Sequence, residues 1–304
     1  MHIDLFLDEL KNKFNYDEKV ITALYKIIPN LIKYFGIEYS DLIKSALLDC
    51  EIINCSSRET INMIKKDKTS FKIIEDNSLI KEEDNTGVYY SLPIIKYDTN
   101  IDTYVISMVK RYIIISHTYN LDSARGIAIL THNICHLIKS FYGEYKINDN
   151  ILIRRSGLRY DKYMVDVLDG EIVLTLLSDI NVGLEEGINS LDEESILKLI
   201  LDDSYETFDY QNTKYIGLCL KNKLNLKKVI EDSQLLGDIS IFIDSYGLKE
   251  YESLSYLADQ SCELEDKRNN YDITREELIN INKEISYIIP NIVDNMTIYL
   301  SNNH

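Results

Sequence analysis

The stretch THNICHLIKS, residues 131–140, carries two histidines four positions apart within an apolar helical pattern. On a helix, residues i and i+4 project from one face, so the rings of His132 and His136 point the same way. Two imidazoles so placed can both reach one tetrahedral zinc ion at ~2.0–2.1 Å and leave two positions for a third ligand and a water. The spacing therefore predicts a zinc site on this helix. The alternative is a pair of packed or solvent-facing histidines that bind nothing.

The segments before and after the histidines predict two strands and the limits of the helix. β-branched and aromatic residues dominate VYYSLPIIKY (88–97) and YVISMVKRYIIISH (104–117), which favours strands there. Asp122 or Ser123 can cap the helix that follows, and Gly143 can stop it. The buried face of that helix is predicted to consist of Ile127, Ile129, Leu130, Ile134, Leu137 and Ile138.

Downstream of the histidine helix, the pattern predicts strands, a hairpin and a second helix. A strand is expected at ILIRR (151–155), followed by the segment YDKYMVDVL (160–168). Asp-Gly at positions 169–170 separates that segment from EIVLTLLSD (171–179), which is typical of a hairpin turn. A further helix is expected to begin near Val182 and to run through Ile200.

The flanking regions are predicted to be helical. Apolar residues recur at helical spacing through the first 75 residues, and a polar stretch at 66–87 predicts a loop or boundary. After residue 200, the expected helices cover residues 221–236, 248–265 and 274–300. The fold class is therefore α+β with helices dominating. Three segments are expected: a helical region 1–84, a metal-binding core 85–200 and a helical region 201–304.

The histidine helix resembles that of the zincin-type metallopeptidases, which carry H-E-x-x-H, often written out as THExxHLI. Five positions match this pattern, namely Thr131, His132, His136, Leu137 and Ile138. The sequence departs from it at Asn133, where the family has its catalytic Glu. The resemblance covers about residues 85–200 and implies a zincin-like core of strands, His-bearing helix, hairpin and Glu-bearing helix.

The gluzincin branch of this family draws its third zinc ligand from a Glu on a second helix, commonly within N-E-G-x-x-E. The similar segment here is NVGLEEGINSLDEE (181–194), and the resemblance assigns that ligand to Glu186, immediately before Gly187. Glu185 is the competing candidate, because adjacent helical positions differ in direction by ~100° and the sequence does not fix the rotation. Alternatively, both acids only favour the helix dipole from the first turn.

Asn133 bears on activity more than on metal binding. In the family, the Glu at this position takes a proton from the zinc-bound water and passes it to the leaving amine. An amide has no accessible protonation change near neutral pH, so we expect Asn133 to be non-functional as a base. Glu144 and Glu185 are possible substitutes, but neither is expected to reach the site. Tyr160 and Tyr163 are possible accessory residues that could donate to an oxyanion.

Composition narrows the classes of partner. The chain has 33 Lys+Arg against 50 Asp+Glu, a net charge of -17 and a pI of about 4.7, and it lacks a basic stripe, so nucleic-acid binding is not expected. The N-terminus is acidic where an export signal would be basic, and apolar runs fall far below the ~20 residues of a membrane span. A cytoplasmic protein without membrane contact is expected. Its five cysteines fit reduced thiols.

Three functions are compatible with these observations. The favoured one is a zinc-metallopeptidase-like protein that binds Zn²⁺ but has lost most hydrolytic activity, and that acts by binding a peptide or protein in its cleft. The second is an active zinc metallohydrolase whose general base is displaced. The third is a structural helical protein that binds no metal. Zinc content separates the third from the others, and peptide hydrolysis separates the first two.

Overall fold

The computed structural model describes residues 2–55, 71–73, 87–202, 204–206, 210–268 and 273–302. The chain forms a mixed α+β fold in which helix exceeds strand by 60% to 23%, as predicted. Most of the expected loop at 66–87, including the boundary at residue 84, lies outside the described residues. The division into three segments therefore stays a prediction.

Three helices open the chain: α1 (Ile3–Phe14), α2 (Glu18–Phe35) and α3 (Ser40–Leu48). Asp17 caps α2 by accepting a hydrogen bond from the backbone N–H of Val20 at 3.0 Å. Most of the apolar stripe expected from the helical spacing is buried, although Leu5 is exposed; the fully buried residues include Leu24, Ile27, Ile28, Leu31 and Ile43. This part of the helical prediction is confirmed.

The expectation of an entirely helical first 75 residues is wrong at two places. Residues Glu51–Cys55 form a strand, β1, and residues Phe71–Ile73 form a short strand, β2. β1 pairs in parallel with β4 (Thr103–Ser116), which in turn pairs antiparallel with β3 (Gly87–Asp98). The sequence EIINC is short and β-branched, so it suits a strand once a partner is present. That partner lies about 60 residues away, beyond the reach of local pattern reading.

A second sheet has the strand order β2-β8-β7-β6-β5, and the only parallel pairing among these described strands is that of β2 with β8. Its four consecutive antiparallel strands are β5 (Tyr145–Asn148), β6 (Ile151–Ser156), β7 (Arg159–Leu168) and β8 (Glu171–Ile180). Asp169 and Gly170 both adopt positive φ, 54° and 81°, in the tight turn between β7 and β8. The predicted Asp-Gly hairpin is confirmed.

The two helices that carry the predicted ligands are α4 (Ala124–Ser140) and α5 (Val182–Ile200). Ser123 caps α4 by accepting a hydrogen bond from the N–H of Gly126 at 3.1 Å. Both helices have the limits expected from the sequence. The order of strands, α4, strands and α5 is also as expected.

The C-terminal part of the chain is helical, as predicted, but its elements are more numerous than expected. The predicted helix at 221–236 begins only at residue 227, after a π-helical turn at Cys219–Lys223 that continues an unforeseen helix. The helices are α6 (Gln211–Leu218), α7 (Lys227–Leu236), α8 (Ser240–Tyr246), α9 (Leu248–Arg268) and α10 (Arg275–Asn302). No helix within the described ranges is long and apolar enough to cross a membrane.

Two apolar clusters fix α4 and α5 against each other. The larger joins α1, α2 and α3 to the apolar face of α4 and to Ile196 and Leu197 near the end of α5. The second packs Leu184 and Ile188, near the start of α5, against the C-terminal helices. Because the larger cluster contains side chains of both α4 and α5, close packing keeps the two helices at a fixed separation.

Candidate metal centre

The structure brings His132, His136 and Glu186 together between α4 and α5. Glu186 Oε2 lies 3.8 Å from His132 Nε2 and 3.5 Å from His136 Nε2. The two Nε2 atoms are 3.1 Å apart. Among the described residues, these three form a group whose ligand atoms all lie within 4.8 Å of one another. The residues named from the sequence thus converge on one point.

These separations fit a small tetrahedral cation. Ligand atoms at ~2.0–2.1 Å from such an ion are ~3.3–3.4 Å apart, and the three observed separations of 3.1, 3.5 and 3.8 Å bracket that value. The side chains of His132, His136 and Glu186 are 24%, 12% and 15% exposed, so one side of the group is open. A fourth position is therefore accessible to a water or another ligand.

Glu193 and Asn189 orient His132. His132 Nδ1 lies 2.9 Å from Glu193 Oε2, which leaves Nε2 directed at Glu186. The Asn189 amide nitrogen lies 3.3 Å from both the backbone carbonyl oxygen and Nδ1 of His132. A carboxylate on the far ring nitrogen fixes the tautomer and orientation of a metal-binding histidine. Neither residue was predicted from the sequence, although the i, i+3, i+7 spacing of Glu186, Asn189 and Glu193 places them on one helical face.

Glu185 points away from the histidines. Its Oε2 accepts hydrogen bonds from the backbone N–H of Leu158 at 2.7 Å and from Gln234 Nε2 at 2.8 Å, and the residue is 1% exposed. Gly157 makes this approach possible, because a Cβ at that position would lie only 2.1 Å from Glu185 Oε2. Of the two candidates for the third ligand, the geometry thus brings Glu186 to the histidines and ties Glu185 to the turn before β7.

Electrostatics couple the three groups. Burial, the largest single influence, acts to raise the pKa of Glu186, but positive charge on His136, His132 and Arg159 outweighs it and lowers that pKa to about 2. Burial likewise acts to lower the pKa of His132, yet its hydrogen bond to Glu193 and the charge of Glu186 produce a net raised pKa. The carboxylates of Glu186 and Glu193 therefore favour a positive charge at this site, whether a proton or a metal cation. Protons and a metal cation compete for the same ring nitrogens.

Asn133 is buried beside α4's own backbone. Its Nδ2 donates a hydrogen bond to the carbonyl oxygen of Ile129 at 2.8 Å, and the residue is 3% exposed. A Cβ built on Gly87 would lie 3.3 Å from this Nδ2, so the side chain rests against the start of β3. The amide is thus held by the helix backbone and by a neighbouring strand.

The two tyrosines expected as accessory residues have other environments. Tyr163 packs against the apolar cluster between the two sheets. Tyr160 is hydrogen-bonded to the backbone of Ile239, and burial is the main cause of its raised pKa. Glu144, considered as a substitute base, is 2% exposed and accepts hydrogen bonds from Tyr89 and Arg111 at 2.9 and 2.8 Å.

A second charged cluster lies next to the first and is closed to solvent. Asp192 Oδ2 forms an ion pair with Lys139 Nζ at 2.8 Å, and its Oδ1 accepts hydrogen bonds from Lys221 at 2.5 Å and from Tyr34 at 2.6 Å. Lys139 and Asp192 are both 0% exposed. Burial acts to raise the pKa of Asp192, but the two ammonium groups lower it to about 2. Asn189 joins the clusters, since its Oδ1 accepts from Lys139 Nζ at 3.1 Å.

Comparisons of this chain with protein-family models, with curated proteins and with solved structures give no match.

Proposed function

We propose that this protein binds one zinc ion through His132, His136 and Glu186 and acts as a zinc-metallopeptidase-like protein with impaired hydrolytic activity. The convergence of two imidazole nitrogens and one carboxylate oxygen within 4.8 Å, with one open side, is the observation that carries this proposal. When bound in such a site, zinc supplies a Lewis acid and lowers the pKa of a coordinated water.

The donor set favours zinc over other cations. Imidazole suits zinc, copper, iron and nickel, whereas magnesium and calcium prefer sites made of oxygen atoms. Three protein ligands with an open fourth position match the arrangement of catalytic zinc sites rather than structural ones, which are closed. The hydrogen bond from His132 to Glu193 supports the same interpretation, because metal-binding histidines are normally oriented in this way.

Impaired hydrolysis follows from the acid–base groups around the site. General acid–base catalysis contributes typically ~10²–10⁴-fold, and Asn133 cannot supply it. Glu144, Glu185 and Glu193 are engaged with Arg111, Leu158 and His132, respectively. A cleft that retains its metal but lacks a base remains suited to holding a peptide or a protein segment, which we propose as its role.

A second candidate function is an active metallohydrolase whose base is Asp266. Asp259 accepts hydrogen bonds from the backbone N–H groups of Asn181 and Gly183, and a Cβ on Gly183 would lie 2.9 Å from Cys262 Cβ. This parallel register of α5 and α9 brings Asp266, one turn after Cys262, alongside Glu186. Desolvation and the charge of Glu186 raise the pKa of Asp266 to about 6, a value suited to proton transfer.

Elemental analysis tests the metal proposal. After incubation with zinc at neutral pH and gel filtration, we expect about one zinc per chain, because His₂Glu with a water completes a tetrahedral set. His132→Ala and His136→Ala should each abolish binding. His117→Ala is the matched control, since His117 is exposed at the end of β4 and should not affect zinc content. Absence of zinc from the unaltered protein contradicts the proposal and supports a structural protein.

A peptide-library assay tests the proposed loss of hydrolysis. Asn133→Glu should hydrolyse some peptide at least ~10²-fold faster than the unaltered protein at equal zinc content, the low end of a base contribution. An unaltered protein as fast as this variant contradicts the proposed impairment. In that case, loss of activity in Asp266→Asn would assign the base to Asp266.

A further inference from the structure

Arg159 lies beside the candidate metal centre without being one of its ligands. It is the first residue of β7 and follows Leu158, whose backbone N–H donates to Glu185 Oε2 at 2.7 Å. Leu158 therefore contacts the residue that immediately precedes the proposed ligand Glu186 on α5. The charges of Arg159 and Glu186 influence each other's pKa values accordingly, lowering that of Glu186 and raising that of Arg159.

The guanidinium of Arg159 is anchored at one nitrogen only. Its Nε donates to Asp161 Oδ1 at 2.8 Å, and Asp161 is 1% exposed. In the described part of the chain, Nη1 and Nη2 of Arg159 have no acceptor, and the side chain is 30% exposed. Arg155 differs, because its two Nη atoms donate to the backbone carbonyls of residues 140, 142, 157 and 234. Arg159 therefore keeps a pair of unpaired donors on a partly exposed side chain.

Arg159 has a second arginine beside it as well as acids. Asp161 is shared between Arg159 and Arg154, whose Nη1 lies 3.6 Å from Asp161 Oδ2, so one carboxylate faces two guanidinium groups. The whole chain carries a net charge of -17, which repels anions in general. The two Nη donors of Arg159, which have no acceptor in the described part of the chain, nevertheless offer an anion a local partner.

We infer that Arg159 binds a carboxylate of the ligand held at the metal centre, so that the cleft selects peptides bearing a free carboxylate near the segment that approaches His132 and His136. The planar fork of the two Nη groups matches the two oxygens of a carboxylate and binds it through parallel hydrogen bonds. Asp161 holds Nε and thereby fixes the plane of the fork. This inference rests on the proposed function, and it names the class of ligand for that site.

The carboxylate can come from a peptide C-terminus or from an Asp or Glu side chain, and affinity selection separates the two. Zinc-loaded protein is offered four pools of N-acetylated random hexapeptides, with a free or an amidated C-terminus and with or without Asp and Glu. Enrichment of both pools with free C-termini assigns the terminal carboxylate. Enrichment of both pools that contain Asp and Glu assigns the side chain.

Variants of Arg159 show whether that preference depends on the fork. Arg159→Gln should reduce the affinity for an enriched peptide at least about tenfold, the cost of losing hydrogen bonds to a charged group. Arg159→Lys keeps the charge but lacks the planar fork, so its affinity for the peptide should lie between those of the unaltered protein and Arg159→Gln. Arg125→Gln is the control, because Arg125 is exposed at the start of α4, over the ring of Tyr119, and should bind as the unaltered protein does.

Zinc content, measured on every variant, separates the two proposals. If zinc is bound but the pools are enriched equally, or not at all, or if Arg159→Gln binds as tightly as the unaltered protein, the inference on Arg159 is overturned. If no zinc is bound, the proposed function fails. A carboxylate preference that persists without zinc and disappears in Arg159→Gln would still uphold the inference.

Discussion

Helix α5 carries two pairs of acids on neighbouring faces, and the two pairs are neutralised differently. Glu185 and Asp192 face the interior, where Lys139 and Lys221 lie within 3.9 Å or less of their oxygens. Both acids are 1% exposed or less. Glu186 and Glu193 instead face His132 and His136, and their side chains are 15% and 11% exposed. We call the first pair with its lysines the lysine face and the second pair with its histidines the metal face.

The difference lies in where the compensating positive charge comes from. On the lysine face, two carboxylates meet two ammonium groups of the same chain, so the cluster can be sealed from solvent. On the metal face, the two carboxylates lie beside imidazoles, which carry no permanent charge, and one side stays open. A candidate cation site differs from a structural ion-pair network in this respect. Its carboxylates are not paired with buried ammonium groups, and imidazole nitrogens that can bind a metal lie next to them.

Removal of Asp192 should have the largest effect on stability, because it leaves Lys139 and Lys221 buried without their shared partner. We expect Asp192→Ala to lower the free energy of unfolding in urea by about 3–5 kcal/mol, the typical cost of breaking a buried ion pair. Asp8→Ala, at an exposed position of α1, should change it by less than about 0.5 kcal/mol. Equal losses in the two variants would show that the lysine face contributes no special stability.

Replacing each of the two neighbouring acids, Glu185 and Glu186, by Gln should distinguish the roles of the two faces. Glu186→Gln removes a proposed ligand and should weaken zinc binding more than about 100-fold, beyond the usual effect of an outer partner. Glu185→Gln should leave zinc affinity nearly unchanged and lower the free energy of unfolding by about 1–3 kcal/mol, since its buried hydrogen-bond partners lose a charged acceptor. Zinc titration and urea unfolding of both variants measure this, and the opposite assignment of effects would mean that Glu185 is the ligand.

Loss of the orienting carboxylate should have a smaller effect on zinc. Glu193→Gln keeps the size of the side chain but weakens the hydrogen bond to His132 Nδ1. We expect a zinc affinity roughly 10–100-fold lower, which is the usual effect of removing a group that orients a metal ligand. Glu194→Gln is the matched control, because Glu194 binds Lys198 and Lys214 at 2.9 and 2.7 Å. If Glu193→Gln binds zinc as tightly as the control, Glu193 does not contribute to zinc binding.

The smallest expected effect is a pH dependence of the zinc-free protein. The pKa of His132 is raised above its ordinary value of 6.5, so the folded state binds this proton more tightly than the unfolded state. The resulting stabilisation is fully present below about pH 6.5 and is lost as pH rises through the raised pKa. Urea midpoints measured with a chelator should fall over that range, and His132→Gln should flatten this part of the curve. A curve unchanged by the substitution would contradict the coupling of His132 to Glu193 and Glu186.

Local patterns were sufficient for most of the fold. The caps and apolar spacing of α2 and α4 lie within each segment, and Asp169–Gly170 encodes the hairpin directly. β1 was missed because a strand of five residues exists only through its pairing with β4, which the sequence does not reveal at that distance. β5 is four residues long and depends in the same way on β6.

The candidate site was predictable to the extent that it depends on single helices. The spacing of His132 and His136 is a property of one helix, and a resemblance suggested Glu186. The choice between Glu185 and Glu186 depends on the rotation of α5, which is fixed by bonds of Glu185 to Leu158 and Gln234, residues from other elements. Glu193, Asn189 and the lysine face were missed because their roles depend on how closely α4 and α5 approach.

The shared apolar cluster behind α4 has a consequence for attempts to build a minimal version of this protein. Ile134, Leu137 and Ile138 are completely buried, and the cluster that covers them includes side chains of α1, α2 and α3. A fragment that begins at residue 85 would contain both histidines and Glu186, but its apolar surface on α4 would be exposed to water. We expect such a fragment to aggregate, since exposed apolar patches of this kind promote association. A transplantable zinc-binding module would need the first three helices as its foundation.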